Sequence, residues 1–129
     1  MSERVIFSVI ESSTHPNLSA LYKRCGLSET RFNSMRKTIA QLKKQKPHFL
    51  VAEFFYGYGN NYAGVNVSNL DTLLSSLQKY SPQTRVIVLV DKSEHQYVAK
   101  LQALFPIHAV ITLPAQAQQV EALLLEQPA

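Results

Sequence analysis

The sequence of 129 residues is poor in several residue types, and each shortage excludes a class of protein. Its single cysteine cannot form an internal disulfide, which argues against a disulfide-stapled secreted domain and favours a reducing compartment. Four glycines and six prolines are too few for a collagen-like or low-complexity chain. No apolar run approaches the roughly 18 residues that a membrane span needs. We therefore expect a cytoplasmic protein that has no membrane partner.

The first residues also lack the features of a targeting signal. Met1-Ser2-Glu3-Arg4 leads directly into a strand-like run, without the apolar core and cleavage site of a signal peptide. Apolar residues make up 46% of the chain and charged residues 17%, which is typical of a globular protein. Because no linker or internal repeat divides the sequence, we expect residues 1–129 to form one domain.

In residues 23–46, basic residues are numerous and acidic residues are scarce, and we call this stretch the basic segment. Its cations are Lys23, Arg24, Arg31, Arg36, Lys37, Lys43, Lys44 and Lys46, and its one acidic residue is Glu29. Such a block is either a solvated helix face or a surface for nucleic acid or another anionic partner. The sequence contains no groove-reading motif, so any affinity for nucleic acid is expected to be weak and independent of base sequence.

Apolar runs and apolar stripes alternate along the chain. Continuous runs at 5–10, 49–55, 86–90 and 109–112 predict strands that are covered on both faces, and a weaker strand is expected around 30–33. Stripes with helical spacing fall between the strands. Their residues are Leu18, Leu21, Tyr22 and Cys25; Met35, Ile39 and Leu42; Leu70, Leu73, Leu74 and Leu77; Val98, Leu101, Leu104 and Phe105; and Val120, Leu123 and Leu124.

Strands that alternate with helices predict a parallel sheet with right-handed crossovers. Five strands and five helices suit an α/β fold of the flavodoxin-like class. The expected architecture is a three-layer sandwich around a five-stranded parallel sheet in the order 2-1-3-4-5.

The connection 56–64 concentrates glycine and tyrosine directly after the third strand. Its candidate surface residues are Tyr56, Tyr58, Asn60, Asn61 and Tyr62. Ligand sites of open α/β sheets lie at this end of the strands, but the segment matches neither a phosphate loop nor a dinucleotide fingerprint. It is therefore either a functional surface or a plain long connection.

Four stretches of the sequence resemble the response-regulator receiver (CheY-like) family across nearly the whole chain. Residues 46–53, which read KPHFLVAE, look like the turn into the family's third strand, where the phospho-accepting aspartate follows apolar residues. Residues 85–90 are similar to the fourth strand, residues 111–114 to the end of the fifth, and residues 5–11 to the first strand with its acidic end. The resemblance implies a signalling domain.

At each chemical position of that family the sequence departs from the pattern. Glu53 occupies the place of the phospho-accepting aspartate, Val90 that of the threonine or serine, and Leu113 that of the lysine, while Glu11 alone remains of the acidic pair. The resemblance therefore implies a degenerate pseudo-receiver that is not phosphorylated and is not an enzyme. Glu53 itself either imitates a phosphoryl charge or caps nearby backbone amides.

Other chemistry receives little support from the sequence. Glu11, His15, Glu53, Asp91 and His95 are expected at one edge of the sheet, yet they lack metal-ligand spacing, so we expect no metal and no cofactor. Cys25 falls on an apolar stripe, and the chain has no nucleophile elbow. We predict no catalytic residues.

A receiver without its switch retains its shape and its surface. The sequence therefore predicts contact with a protein partner or with a second copy of the chain, through the face of the fourth helix, fifth strand and fifth helix. The candidate interface residues are Tyr97, Lys100, Gln102, Val110, Gln118 and Gln119. The alternatives are a nucleic-acid or anionic-partner module that uses the basic segment, and a small metal-binding or ligand-binding protein that uses the 56–64 connection.

Overall fold

The computed structural model describes residues 4–12, 17–56 and 68–125. Five strands form one parallel sheet in the order β2-β1-β3-β4-β5, which confirms the predicted topology. The strands are β1 Arg4–Val9, β2 Leu27–Phe32, β3 Phe49–Phe54, β4 Arg85–Val90 and β5 Ala109–Thr112. The helices are α1 Ser19–Arg24, α2 Met35–Leu42, α3 Asp71–Tyr80, α4 Val98–Gln102, which follows a 3₁₀ turn at Lys92–Tyr97, and α5 Ala117–Leu124.

Two apolar clusters cover the two faces of the sheet and define the layers. Side chains of β3 alternate between them, since Leu50, Ala52 and Phe54 enter one cluster, whereas Phe49 and Val51 enter the other. Helices α2, α3 and α4 pack on the first cluster, and α1 and α5 pack on the second. The sheet is therefore buried on both sides, as its continuous apolar strands require.

The strand β2 begins three residues earlier than the expected segment 30–33. Gly26 adopts a φ of 78° directly after α1, and this turn lets the chain reverse at Leu27. Leu27 and Phe32 are the apolar ends of β2, and the Phe32 ring lies edge-on to Phe7 at 4.9 Å between centroids. The four residues between them are polar because β2 is an edge strand, which explains the weak signal in the sequence.

The fourth helical stripe is only partly correct. Val98 and Leu101 are buried, but α4 ends at Gln102 and Leu104 is 57% exposed. The helical period no longer applies beyond that end, so the prediction that Leu104 belongs to the buried stripe is wrong. Cys25 caps the end of α1 and is half-buried. Within the described ranges, no helix is long and apolar enough to cross a membrane.

Candidate functional site

Glu53 lies near the end of β3, at the edge of the sheet where the strands finish. The side chain is 1% exposed, although it is charged in its ordinary ionised form. Its Oε1 accepts hydrogen bonds from the backbone N–H groups of Glu11, at 2.8 Å, and Ser12, at 3.1 Å. The Ser12 hydroxyl donates to the other carboxylate oxygen. Glu53 therefore ties the chain that leaves β1 to the end of β3.

Asn69 completes this network and was not predicted from the sequence. Its Nδ2 donates to Oε2 of Glu11 at 2.5 Å and to the backbone oxygen of Glu53 at 2.8 Å. Its Oδ1 accepts from the backbone N–H of Phe55 at 2.7 Å. The residue precedes α3, and its one signal in the sequence was its place directly before the apolar stripe that begins at Leu70.

The surroundings of Glu11 disfavour the ionised form of its carboxyl group. Burial raises its pKa above 4.5, the hydrogen bond from Asn69 opposes that rise, and the nearby Glu53 adds to it. Glu11 and Glu53 thus belong to one hydrogen-bond network, in which burial and the neighbouring carboxylate make Glu11 easier to protonate than a free glutamate.

Val90 and Leu113, two further positions that the sequence comparison with the receiver family singled out, have hydrocarbon side chains. Val90 is fully buried at the end of β4, and Leu113 is half-buried directly after β5. The Leu113 backbone N–H donates to the Val90 oxygen at 2.8 Å, so the two positions are adjacent. Neither side chain can donate a hydrogen bond to a phosphoryl oxygen, whereas stabilising such oxygens is what phosphoryl transfer requires of a protein.

Four of the five residues that were expected at this edge are described, and they do not assemble into a metal-binding group. Glu11 and Glu53 come together, and His15 lies outside the described residues. Asp91 instead caps the 3₁₀ turn, where it accepts from the backbone and hydroxyl of Ser93, and these hydrogen bonds lower its pKa. Among the residues that the structure describes, no three histidine, cysteine or carboxylate side chains form a possible metal-binding group.

The predicted loop surface and the predicted interface meet at one aromatic pair. The rings of Tyr56 and Tyr97 stack at 3.9 Å between centroids, and Tyr56 is 39% exposed. Lys100 Nζ lies 5.4 Å from the Tyr56 ring and 5.9 Å from the Tyr97 ring. The Tyr56 backbone N–H donates to Glu94 at 3.1 Å. Tyr58, Asn60, Asn61 and Tyr62 lie outside the described residues.

The remaining candidate interface residues flank β5. Gln102, Gln118 and Gln119 are exposed, and Val110 is partly buried on the edge strand. Gln119 has an additional role, because its side chain accepts from the Gln116 backbone N–H at 3.1 Å and caps the start of α5.

The basic segment is distributed over α1, β2, α2 and the turn into β3, and all eight of its cations are exposed. Arg31 forms an ion pair with Glu29 at 3.6 Å and also donates to Ser19. Arg31 and Lys37 line a surface pocket of 360 Å³ together with Ile10, Phe32 and Asn33. The segment is therefore not one helix face.

The fold is a five-stranded parallel α/β sandwich with the Glu53 network at the carboxyl ends of its strands, and comparison with solved structures finds the same fold. No protein-family model matches the chain, and comparison with curated protein sequences finds no match. The solved structures most similar in fold include response-regulator receiver domains.

Three solved structures, two receiver domains and one adenylate cyclase, illustrate the similarity in fold. A receiver domain from Clostridium thermocellum has a TM-score of 0.68 and 14% identity over 95% of this chain and 91% of its own. The receiver domain of a sensor histidine kinase from Pseudomonas aeruginosa has a TM-score of 0.69 and 10% identity over 95% of each chain. An adenylate cyclase from Rhodopirellula baltica has a TM-score of 0.69 and 12% identity over 96% of this chain and 85% of its own. At these identities the comparison establishes the fold.

Proposed function

We propose that this chain is a non-enzymatic signalling or scaffolding module that works without phosphorylation and through protein contacts. The burial of Glu53 carries the first part of the proposal. An acceptor carboxylate must reach a phosphoryl donor, but this one is 1% exposed and engaged by two backbone amides and a hydroxyl. Its neighbours Val90 and Leu113 offer hydrocarbon where the developing charge would need donors or cations.

The geometry of the longer side chain supports the same conclusion. A glutamate places its carboxylate about one bond further from the backbone than an aspartate does. A displacement of about 1 Å lowers the rate of a reaction between positioned groups by on the order of 100-fold. Here the extra methylene lets the carboxylate reach the Glu11 and Ser12 amides. Glu53 therefore has a structural role, since its hydrogen bonds hold the segment that follows β1 against the end of β3.

A direct test is to incubate the protein with acetyl phosphate and Mg²⁺ and to measure its intact mass. We expect no phosphorylated species. The Glu53→Asp variant serves as a control for side-chain length. It should also remain unmodified because the positions of Val90 and Leu113 still lack donors. A stable phosphorylated adduct on the unaltered protein would contradict the proposal.

The face formed by α4, β5 and α5 is the surface that we assign to protein contact. Its exposed side chains include one cation, Lys100, together with glutamines, and Leu104 is 57% exposed at its border. Aromatic residues and a shortage of charge are typical of an interface core, and the Tyr97 ring lies on this side. The strand β5 is also an open sheet edge.

Substitutions on this face distinguish it from the basic segment. Tyr97→Glu and Gln118→Lys each place a charge on the face, so each should weaken self-association or partner binding, measured by sedimentation and by titration with a candidate partner. Charge reversal at Lys43 and Lys44 is the matched control and should leave association unchanged. If only the lysine reversals abolish association, the interface lies elsewhere and this assignment is wrong.

A further inference from the structure

The strand β2 is an edge of the sheet and, among the described strands, it pairs with β1 alone. The Ile10 backbone N–H donates to the Phe32 oxygen at 2.7 Å, so the backbone groups of Phe32 face β1. These groups alternate between the two sides of a strand. Those of Thr30 therefore also face β1, and those of Glu29 and Arg31 point outward. An outward row of N–H and C=O groups is able to pair with another strand.

The side chains at the middle of this edge carry opposite charges. Glu29 and Arg31 lie two positions apart, so they share one face of the sheet, and they form an ion pair at 3.6 Å. The Ser19 hydroxyl donates to Glu29 at 2.6 Å, which keeps the carboxylate beside the strand. Thr30 lies between the two charged residues and faces the other side. The edge therefore presents one acid and one base at equal distances from a central threonine.

This arrangement is complementary to itself in one antiparallel register. With a two-fold axis at Thr30, Glu29 lies directly opposite the partner subunit's Arg31, and the outward backbone groups of the two residues exchange both of their hydrogen bonds. An axis at Glu29 would set two carboxylates opposite each other, and an axis at Arg31 would do the same with two guanidinium groups. Like charges that lie directly opposite are destabilising, whereas opposite charges stabilise a strand pair. The charge pattern therefore selects the register centred on Thr30.

We infer that β2 pairs with β2 of a second copy of this chain, antiparallel and centred on Thr30, so that the two sheets become one. Charges on an edge strand usually protect it from pairing. Here the same charges oppose the neighbouring two-fold registers and favour this one. Pairing through identical strands closes at two copies, whereas pairing of β2 with β5 would continue into a filament.

This contact lies at the opposite edge of the sheet from the face of α4, β5 and α5 that we assigned to protein contact. A dimer formed through β2 leaves that face free at both outer ends of the joined sheet. The inference therefore goes beyond the proposed function, because each copy of the dimer retains its own surface for a different protein.

Repulsion between the two basic segments opposes the contact. The flanking helices α1 and α2 carry exposed cations, whose repulsion falls as salt screens them, whereas backbone hydrogen bonds are not screened in this way. A single short edge also belongs to the weak class of protein interfaces. We therefore expect a dissociation constant on the order of 0.1 mM at roughly 0.3 M salt.

Charge exchange between Glu29 and Arg31, followed by sedimentation equilibrium at roughly 0.3 M salt, tests this inference. Glu29→Lys sets cations opposite each other, and Arg31→Glu sets carboxylates opposite each other. Each variant alone should dimerise on the order of tenfold more weakly than the parent. An equal mixture of the two restores opposite charges in both pairs, so it should form heterodimers about as tightly as the parent dimerises. Lys79→Glu at the end of α3 is the matched control for the charge change of Arg31→Glu and should leave dimerisation unaltered.

Arg31→Pro supplies a second test that does not depend on charge. It removes an outward N–H but no hydrogen bond to β1, so the variant should fold and stay monomeric. Circular dichroism checks the folding of every variant.

Several results would overturn the inference. They are a parent that remains monomeric at about 1 mM, an Arg31→Pro variant that still dimerises, and a mixture of the two folded charge variants that forms no heterodimer. Growth into filaments would indicate pairing of β2 with β5 instead. Loss of the dimer in Tyr97→Glu would place the second copy on the α4, β5 and α5 face. A Tyr97→Glu variant that loses a partner but keeps the dimer separates the two proposals and supports this one.

Discussion

At the scale of single residues, Glu53 combines an ionisable side chain with nearly complete burial. A carboxylate that is 1% exposed is stable only where donors replace water, and the Glu11 and Ser12 amides supply them. Its position near the end of the third strand was predicted from the sequence, and backbone capping was one of two interpretations. Asn69 could not be predicted because its partners Glu11 and Glu53 are distant in the sequence.

Substitution of Glu53 measures how much its hydrogen bonds contribute to the free energy of unfolding. Glu53→Ala removes the carboxylate that accepts from two partly buried N–H groups, so we expect the free energy of unfolding to fall by roughly 3 kcal/mol. Glu53→Gln retains an acceptor oxygen and should cost about 1 kcal/mol. Urea unfolding measures both values. Equal and negligible losses would show that water reaches the site and satisfies these amides.

Glu11 makes the stability of the fold depend on pH. Because its pKa is raised in the folded state, the folded protein binds this proton more tightly than the unfolded chain. The stabilisation is complete below the ordinary value of 4.5 and is lost as the pH rises through the higher folded pKa. Glu11→Gln should therefore unfold at higher urea than the parent near neutral pH, with the difference shrinking toward acid.

The comparison of the two proteins across the pH range supplies the check. Unfolding midpoints of both are measured in the same buffers, so other titrating groups cancel to first order. A Glu11→Gln variant whose advantage grows toward acid would mean that the folded state prefers the ionised carboxylate, contrary to the burial of Glu11.

At the scale of elements, the accuracy of the sequence prediction followed the burial of each strand and helix. The central strands β3 and β4 are apolar on both faces, and their positions were predicted closely. The edge strand β2 was misplaced because its middle residues are polar. The sequence predicted too long an apolar stripe for α4, because Leu104 lies beyond the end of the helix but still has helical spacing from Leu101.

Two leucines three positions apart test the end of α4. Leu101 is fully buried and Leu104 is 57% exposed. Leu101→Ala should lower the free energy of unfolding by about 3 kcal/mol, whereas Leu104→Ala should change it by less than about 0.5 kcal/mol. Thermal or urea unfolding decides between them. Similar losses at both positions would mean that the helix continues and buries Leu104.

At the scale of the whole molecule, the carboxyl edge and the amino edge of the sheet carry different properties. The carboxyl edge holds the hydrogen-bond network of Glu53, Glu11 and Asn69, and the amino edge, where the strands begin, holds Arg4 and Arg85. Alternation of strands and helices predicted the sheet order from the sequence. The amino edge could not be predicted in detail, because Arg4 and Arg85 are far apart in the sequence and reach the same edge only through the fold.

We propose that the site around Glu53, at the carboxyl ends of the strands, is closed to phosphoryl groups. Beryllofluoride with Mg²⁺ imitates a phosphorylated carboxylate, so a titration followed by amide chemical shifts reports directly on the site. We predict no saturable shifts at Glu53, Glu11, Asn69 or Val90, because the Glu53 carboxylate is already bound by protein donors. Saturable shifts centred on these residues would show that the carboxylate can exchange its partners, and would contradict the account.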